Sequence, residues 1–140
     1  LEMTSAYGTF ANGGFYSPPL YIKKITDSKG KIIEETKPSQ KKVLSSNIAN
    51  TITEILSDNE ARSPVFGSNS DLNIPGISVK TGTTQDFKDG WAVGYNKKIV
   101  VGVWTGNNNN ASMRNAPGVT VSAPAWKTSF NYAINQGFTP

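Results

Sequence analysis

The sequence predicts an α+β fold: an antiparallel β-sheet flanked by helices, with the C-terminal helix packed on the sheet. Three observations predict it. Gly90 to Tyr95 alternates, with Trp91, Val93 and Tyr95 on one face and Ala92 and Gly94 on the other. A tight connection at Asn96-Lys97 returns the chain into Ile99 to Gly106, which is apolar on both faces and reads as a central strand. Separate stretches carry apolar residues at helical spacing, the last of them suited to lying across a sheet.

In order, Leu1 to Ala11 places Met3, Ala6, Tyr7 and Phe10 on one helical face, and Asn12-Gly13-Gly14 stops the helix. No capping residue precedes Leu1, which suggests that the chain starts partway through a larger protein. Pro18-Pro19 introduces an extended segment from Leu20 to Thr26. Asp27-Ser28-Lys29-Gly30 has turn composition, and Lys31 to Glu35 returns as a partner strand, making a lysine-rich edge hairpin. Thr36 to Lys42 reads as a polar loop. Ser45 or Ser46 caps a helix running to about Leu56, with Ile48, Ile52, Ile55 and Leu56 inward, and Ser57-Asp58-Asn59 ends it. Glu60 to Pro75, carrying Pro64, Gly67 and Pro75, reads as a long irregular stretch, the kind that is usually functional or packed over something. After the two strands, Asn107 to Pro117 is a polar loop. Ser122 then caps a last helix with Pro124 in its first turn, Gly137 beyond its end, and Trp126, Phe130, Ala133 and Ile134 as its buried stripe.

The absences narrow the chemistry. There is no Cys and no His, which removes thiol nucleophiles, disulfides, Ser-His-Asp triads and nearly every zinc site. Any acyl transfer must take its general base from Lys, Asp, Glu or Tyr. Hydrophobic residues at 36% supply a core and exclude wholesale disorder. The net charge of +4 is spread over scattered lysine pairs, and the aromatics fall at inward positions, so nothing points to nucleic acid. The longest apolar run, Ile99 to Trp104, is far short of the ~20 residues that span a bilayer, so this segment is expected to make no membrane contact.

The stretch Ser78-Val79-Lys80-Thr81-Gly82-Thr83-Thr84 is the chemical focus. It reads as a strand ending in a lysine, three hydroxyls and a glycine. Lys80 and Thr81 point to opposite faces, Thr83 returns to the face of Thr81, and Gly82 leaves the edge bare for close approach by another backbone. A cation, hydroxyl donors and exposed N–H groups together make a carboxylate- or oxyanion-binding edge. The tripeptide alone is weak, since Lys-Thr-Gly arises by chance in roughly 3% of chains this long.

Its context is more specific. The strand is followed by Asp89-Gly90-Trp91-Ala92-Val93-Gly94, then Val103-Trp104-Thr105-Gly106, and preceded by Ser5-Ala6-Tyr7-Gly8-Thr9-Phe10-Ala11-Asn12-Gly13-Gly14. With Ile55 to Arg62 and Ala123-Pro124-Ala125-Trp126, the whole chain resembles the C-terminal half of a penicillin-binding transpeptidase domain, most of all the class A, bifunctional kind. The resemblance implies that residues 1–140 are the C-terminal portion of that domain, with its partial fold. It implies a serine acyltransferase of peptidoglycan cross-linking, working through Ser-x-x-Lys, Ser-x-Asn and Lys-Thr-Gly, with no cofactor and no metal. The serine attacks the penultimate D-Ala carbonyl of a stem peptide and a lysine is the base. Lys80 then supplies positive charge beside the serines, the Thr81 and Thr83 hydroxyls hold the substrate or β-lactam carboxylate, and the Thr83 N–H forms half of the oxyanion hole. Thr81, Gly82, Thr83 and Thr84 are the expected substrate-binding positions, with Lys80 and Thr83 catalytic. Gln85 to Lys88 borders the cleft, and Val79 stands where the family often has Gly or Ala.

Two motifs are not credible within these residues. Ser28-Lys29-Gly30-Lys31 and Ser39-Gln40-Lys41-Lys42 spell Ser-x-x-Lys but fall in a turn and a loop, whereas the family's serine opens a helix in the middle of the domain. Ser57-Asp58-Asn59 spells Ser-x-Asn, yet its position after a helix suits helix termination, with Arg62 as a packing or salt-bridge residue. The expected partners are therefore stem peptides, β-lactams and the N-terminal remainder of the domain bearing the missing motifs. The expected location is the extracytoplasmic face of the bacterial cytoplasmic membrane, with any anchor outside this chain. This chain alone is expected not to be acylated. A D,D-carboxypeptidase, a β-lactam sensor or a β-lactamase shares the fold, and a wall-binding module without chemistry is the non-enzymatic alternative. Asp89, Trp91, Trp104 and Trp126 are read as structural, the last two as core.

Overall fold

A computed structural model describes all of residues 1–140. Helix α1 spans Glu2–Ala11 and ends at Asn12, whose N–H returns to the Gly8 carbonyl. Strand β1 (Phe15–Tyr16) follows, then β2 (Lys24–Thr26) and β3 (Ile32–Glu35), a hairpin whose turn is held by Asp27 Oδ1 accepting the Lys29 and Lys31 N–H groups at 2.9 Å each. Strand β4 (Lys41–Lys42) comes back to pair with β1. Helix α2 (Ser46–Ser57) begins where the Ser45 hydroxyl accepts the Ile48 N–H. Helix α3 (Asn59–Phe66) begins one residue after α2 ends, because the Asp58 carboxylate accepts the Ala61 N–H at 2.9 Å.

The rest is one three-stranded antiparallel sheet with two helices against it. Strands β5 (Ser78–Thr83), β6 (Asp89–Tyr95) and β7 (Val100–Gly106) lie in that order, with β6 in the middle. Helices α4 (Gly118–Val121) and α5 (Ala123–Asn135) complete the chain. The register pairs Lys80 with Val93, Gly82 with Trp91, and Trp91 with Trp104, so Ser78, Lys80, Gly82, Trp91, Val93, Tyr95 and Gly102 share one face. Helix α1 covers that face: a Cβ on Gly102 would run into the Thr4 side chain. The opposite face carries Val79, Thr81, Thr83, Ala92 and Gly94 and is covered by α5, with the Trp126 ring lying against Gly94. The core gathers there, from Leu72, Ile77, Val79, Ala92, Ala123, Trp126 and Phe130. Helix α5 ends in a Schellman turn: the Gly137 N–H donates to Ile134 O and the Phe138 N–H to Ala133 O, with Gly137 at φ 95°.

Several expectations are corrected. The extended segment from Leu20 is a strand only over Lys24–Thr26, and the loop Thr36 to Lys42 contains β4. The irregular stretch from Glu60 begins as α3, and Pro64 is tolerated inside it because Ser63 Oγ donates to Glu60 O, the carbonyl that Pro64 has no N–H to satisfy. On α2, Ile48 and Ile55 are exposed and the packed side is Ala49, Ile52, Thr53 and Leu56. Thr53 turns inward because its hydroxyl donates to Ala49 O and shares a hydrogen bond with the Tyr95 hydroxyl. Among residues 1–140, β6 and not β7 is the strand paired on both sides. The two apolar faces of β7 answer to α1 and α5, since cover by helices on both faces makes a strand apolar whether or not another strand lies beside it. Trp104 is 43% exposed rather than core. Ser122 does sit ahead of α5, but its hydroxyl donates to Thr105 Oγ1 instead of capping the helix.

Candidate active site

The ladder of β5 fixes which backbone groups face outward. Thr84 N–H donates to Asp89 O, so Thr84 and Asp89 form a hydrogen-bonded pair, and alternation turns Gly82, Lys80 and Ser78 toward β6. Val79, Thr81 and Thr83 therefore direct both their N–H and their C=O off the edge. No strand of this chain pairs there.

Side chains converge on the same edge from both faces. Lys80 rises on the α1 side beside a cavity of about 160 Å³ walled by Met3, Tyr7, Trp91 and Val93. Its ammonium bends to the edge and donates to the outward Thr81 carbonyl at 2.6 Å. Thr83, on the opposite face, accepts the Gly118 N–H at 2.8 Å, which leaves its own hydroxyl hydrogen free to donate. A cation, the outward N–H groups of Thr81 and Thr83, and at least one free hydroxyl donor thus lie within a few residues on one unpaired edge.

The end of the strand is braced from below. Thr84 Oγ1 donates to Asp89 Oδ2 and accepts the Asp89 N–H, each at 2.8 Å, while Trp104 Nε1 donates to Asp89 Oδ1 at 2.8 Å. The Trp104 and Thr84 hydrogen bonds, in that order, hold the Asp89 carboxyl below the usual carboxylate range. Asp89 is therefore a clamp on the β5–β6 turn, and the Thr84 hydroxyl is committed to it. Beyond Thr84, a 3₁₀ turn over Gln85–Phe87 puts Asp86 at φ 59° and Phe87 at φ 53°, the left-handed region that side chains rarely occupy. Such residues cost of order 1–3 kcal/mol each and cluster at ligand sites. The Met113 N–H donating to Phe87 O helps to hold them.

The upper half of β5 is tied down. Ser78 Oγ donates to Thr53 O at 2.7 Å. Arg62 donates to three carbonyls: Leu56 O at 2.6 Å, Asp58 O at 3.1 Å and Val79 O at 3.5 Å. Burial pulls the guanidinium below its ordinary pKa, and the nearby Asp58 charge opposes this. Arg62 is thus a carbonyl-binding residue rather than a salt-bridge residue.

Sequence reasoning missed this role for Arg62, and it missed Gly118, Met3 and Tyr7 as neighbours of the edge. The Leu1 to Phe10 helical stripe was the only signal for the last two. The two stretches that spell Ser-x-x-Lys are exposed and lie outside every helix. A larger cavity of about 500 Å³ opens at the far end of β5, around Phe10, Asn50, Tyr95 and Asn96. Its inner hydroxyls are already paired, and it stands away from the lysine.

The description "Penicillin binding protein transpeptidase domain" matches residues 1–129, and the chain belongs to that family. Penicillin-binding protein 1A of Aquifex aeolicus is 37% identical over 132 residues, covering 90% of this chain and 17% of that protein. The crystal structure of penicillin-binding protein 1A from Haemophilus influenzae superposes with a TM-score of 0.79 at 24% identity, over 95% of this chain and 26% of that one. Penicillin-binding protein A from M. tuberculosis, solved as an imipenem acyl-enzyme complex, superposes at 0.68 and 22% identity, over 94% and 30%. At those identities the two structures speak for the fold. The chain spans about a sixth of the length of the Aquifex relative.

Proposed function

We propose that this chain supplies the Lys-Thr-Gly half of the active site of a serine D,D-transpeptidase that cross-links peptidoglycan, and that it is the C-terminal portion of that domain. The observation that carries the reading is the meeting of the Lys80 ammonium with the outward N–H groups of Thr81 and Thr83 on one open edge. In the reaction, a serine outside these residues attacks the penultimate D-Ala carbonyl of a stem peptide and gives its proton to a lysine base. The oxyanion develops against the Thr83 N–H, and an acyl-enzyme forms as the terminal D-Ala leaves with a proton. An amine of a second stem peptide then attacks the ester; the serine–acyl bond breaks, and the amine's proton passes through the lysine base back to the serine oxygen. One oxyanion donor of this kind is worth about 10²–10³ in rate.

Lys80 stabilises negative charge on and around the attacking oxygen. The Thr81 and Thr83 hydroxyls receive the terminal carboxylate, beside the bare edge at Gly82, and Thr84 fixes the turn beneath them. A β-lactam presents a carbonyl and a carboxylate in the same relation, so the site is read as a β-lactam target. Its working place is the extracytoplasmic face of the bacterial membrane. No helix of this chain is long and apolar enough to cross that membrane.

The test is covalent labelling by a fluorescent penicillin of the intact polypeptide that carries residues 1–140. Wild type is expected to take one label, and Lys80→Ala to react about a hundredfold more slowly, in the range of one lost electrostatic contact. An unlabelled wild type, or a Lys80→Ala variant that labels at the wild-type rate, refutes the reading.

A further inference from the structure

The edge of β5 is open over only part of its length. The elbow between α2 and α3 covers its start, where Arg62 Nη1 donates to Val79 O. The same guanidinium holds the last turn of α2 through Leu56 O and the cap of α3 through Asp58 O, so one side chain joins three elements. The next outward carbonyl, that of Thr81, is taken by the Lys80 ammonium. Thr83 is the first residue of the strand whose outward N–H and C=O are both unclaimed by the chain.

An extended ligand pairs with an edge through such N–H and C=O couples, which recur every second residue, roughly 6.6–7 Å apart. A slip of one residue would turn every side chain of the ligand to the wrong face. A slip of two or four residues keeps the faces correct, so side-chain pattern does not forbid it. Only an obstacle on the edge does.

We propose that Arg62 is a specificity-determining residue for the reaction proposed above: with the Thr81 carbonyl taken by Lys80, Arg62 caps the next couple up the strand, that of Val79, holds the elbow over it, and so stops an extended peptide from pairing at the start of β5 instead of at Thr83. This rests on the transpeptidase reading. Arginine suits the task because its planar fork reaches several carbonyls at once, which a lysine ammonium on a flexible stem does not.

The test compares wild type with Arg62→Ala and Arg62→Lys in the intact polypeptide, using two acyl donors. One is a small penicillin that engages only the Thr83 end. The other is a stem pentapeptide long enough to continue along the edge. In Arg62→Ala, penicillin acylation is expected to stay within about twofold of wild type, while kcat and KM for the peptide fall together by about tenfold, the mark of binding in unproductive registers, with kcat/KM little changed. Arg62→Lys should recover only part of it. Equal loss for both donors makes Arg62 a simple fold-holder, and no loss for either leaves it without a role; each overturns the proposal. If Arg62→Ala does not accumulate as folded protein, Arg62→Gln, which is shorter than the reach to Val79, is read the same way. If wild type itself resists penicillin, the transpeptidase reading falls, and amide exchange still decides the role of Arg62. Exchange at Ser78 and Lys80, whose N–H groups face β6, should rise about tenfold or more in Arg62→Ala relative to the middle of β6, and unchanged exchange there would overturn the latch.

Discussion

Gly118→Ala is the substitution whose cost follows most directly from the geometry. Gly118 is buried at the start of α4, where the helix touches the ends of β5 and β6. A Cβ built there would overlap the Gly82 carbonyl oxygen and come within 2.7 Å of Trp91 O and 3.1 Å of Trp91 N. All three are backbone atoms of the sheet, so none can swing aside as a side-chain tip would. The φ of Gly118 lies outside the left-handed region, so the penalty is steric rather than torsional. Overpacking of this kind costs about 1–3 kcal/mol. Pushing α4 away also strains the Gly118 N–H bond to Thr83 Oγ1 at 2.8 Å, worth about 1 kcal/mol. Together they give about 3 kcal/mol, or roughly 10 °C in midpoint for a chain of this size.

Thermal unfolding followed by circular dichroism reads this, with Gly137→Ala as the comparison. Gly137 has φ 95° and nothing within 4 Å of where a methyl group would stand, so its replacement costs only the backbone preference, about 1 kcal/mol. A Gly118→Ala midpoint within about 2 °C of wild type, or a loss no larger than that of Gly137→Ala, would refute the close approach of α4 to the strand that carries the site.

Asp89→Asn should change the acid limb of stability. Because Asp89 is held below its ordinary range when folded, the carboxylate contributes stability above that range and loses it as pH falls through the lowered value. The midpoint difference between wild type and Asp89→Asn is therefore expected to be largest at neutral pH and to shrink on acidification to about pH 3; a pH-independent difference would contradict the clamp. Trp126 is fully buried and its indole N–H has no acceptor. Trp126→Ala should cost about 3–5 kcal/mol in denaturant unfolding. Trp126→Phe should cost less than half of that, since it also removes the orphaned donor. Asp58→Ala, which deletes the cap of α3, should cost about 1 kcal/mol by the same measurement.

The strands and the last helix were legible because their patterns are set by two-sided cover and by strong punctuation. Alternation located β6, and the Trp126, Phe130, Ala133 stripe with Gly137 located α5. What misled was the difference between a buried face and a buried edge. Val100 to Val103 is apolar on both sides because helices lie above and below it, and nothing in that pattern reports whether a strand lies beside it. Thr53 and Ile48 exchanged expected places for a related reason. A threonine that satisfies its hydroxyl on Ala49 O and Tyr95 packs as well as an isoleucine, and pattern alone does not see that bond. Trp104 reads as core by composition, yet its indole N–H needed the Asp89 carboxylate at the surface. At the site, the opposite facing of Lys80 and Thr81 followed from strand geometry. The bracing residues Arg62 and Gly118 lie 18 residues before and 38 residues after Lys80, and only the tertiary fold brings them to it.

The central claim is that the β5 edge holds and polarises an acyl group whose attacking serine is not among residues 1–140. Mass spectrometry of the isolated 140-residue chain after incubation with a penicillin tests it most directly. The unmodified mass is the predicted result, with the adduct of the intact polypeptide mapping to a serine elsewhere. A stoichiometric penicilloyl adduct on any serine of this chain would contradict it.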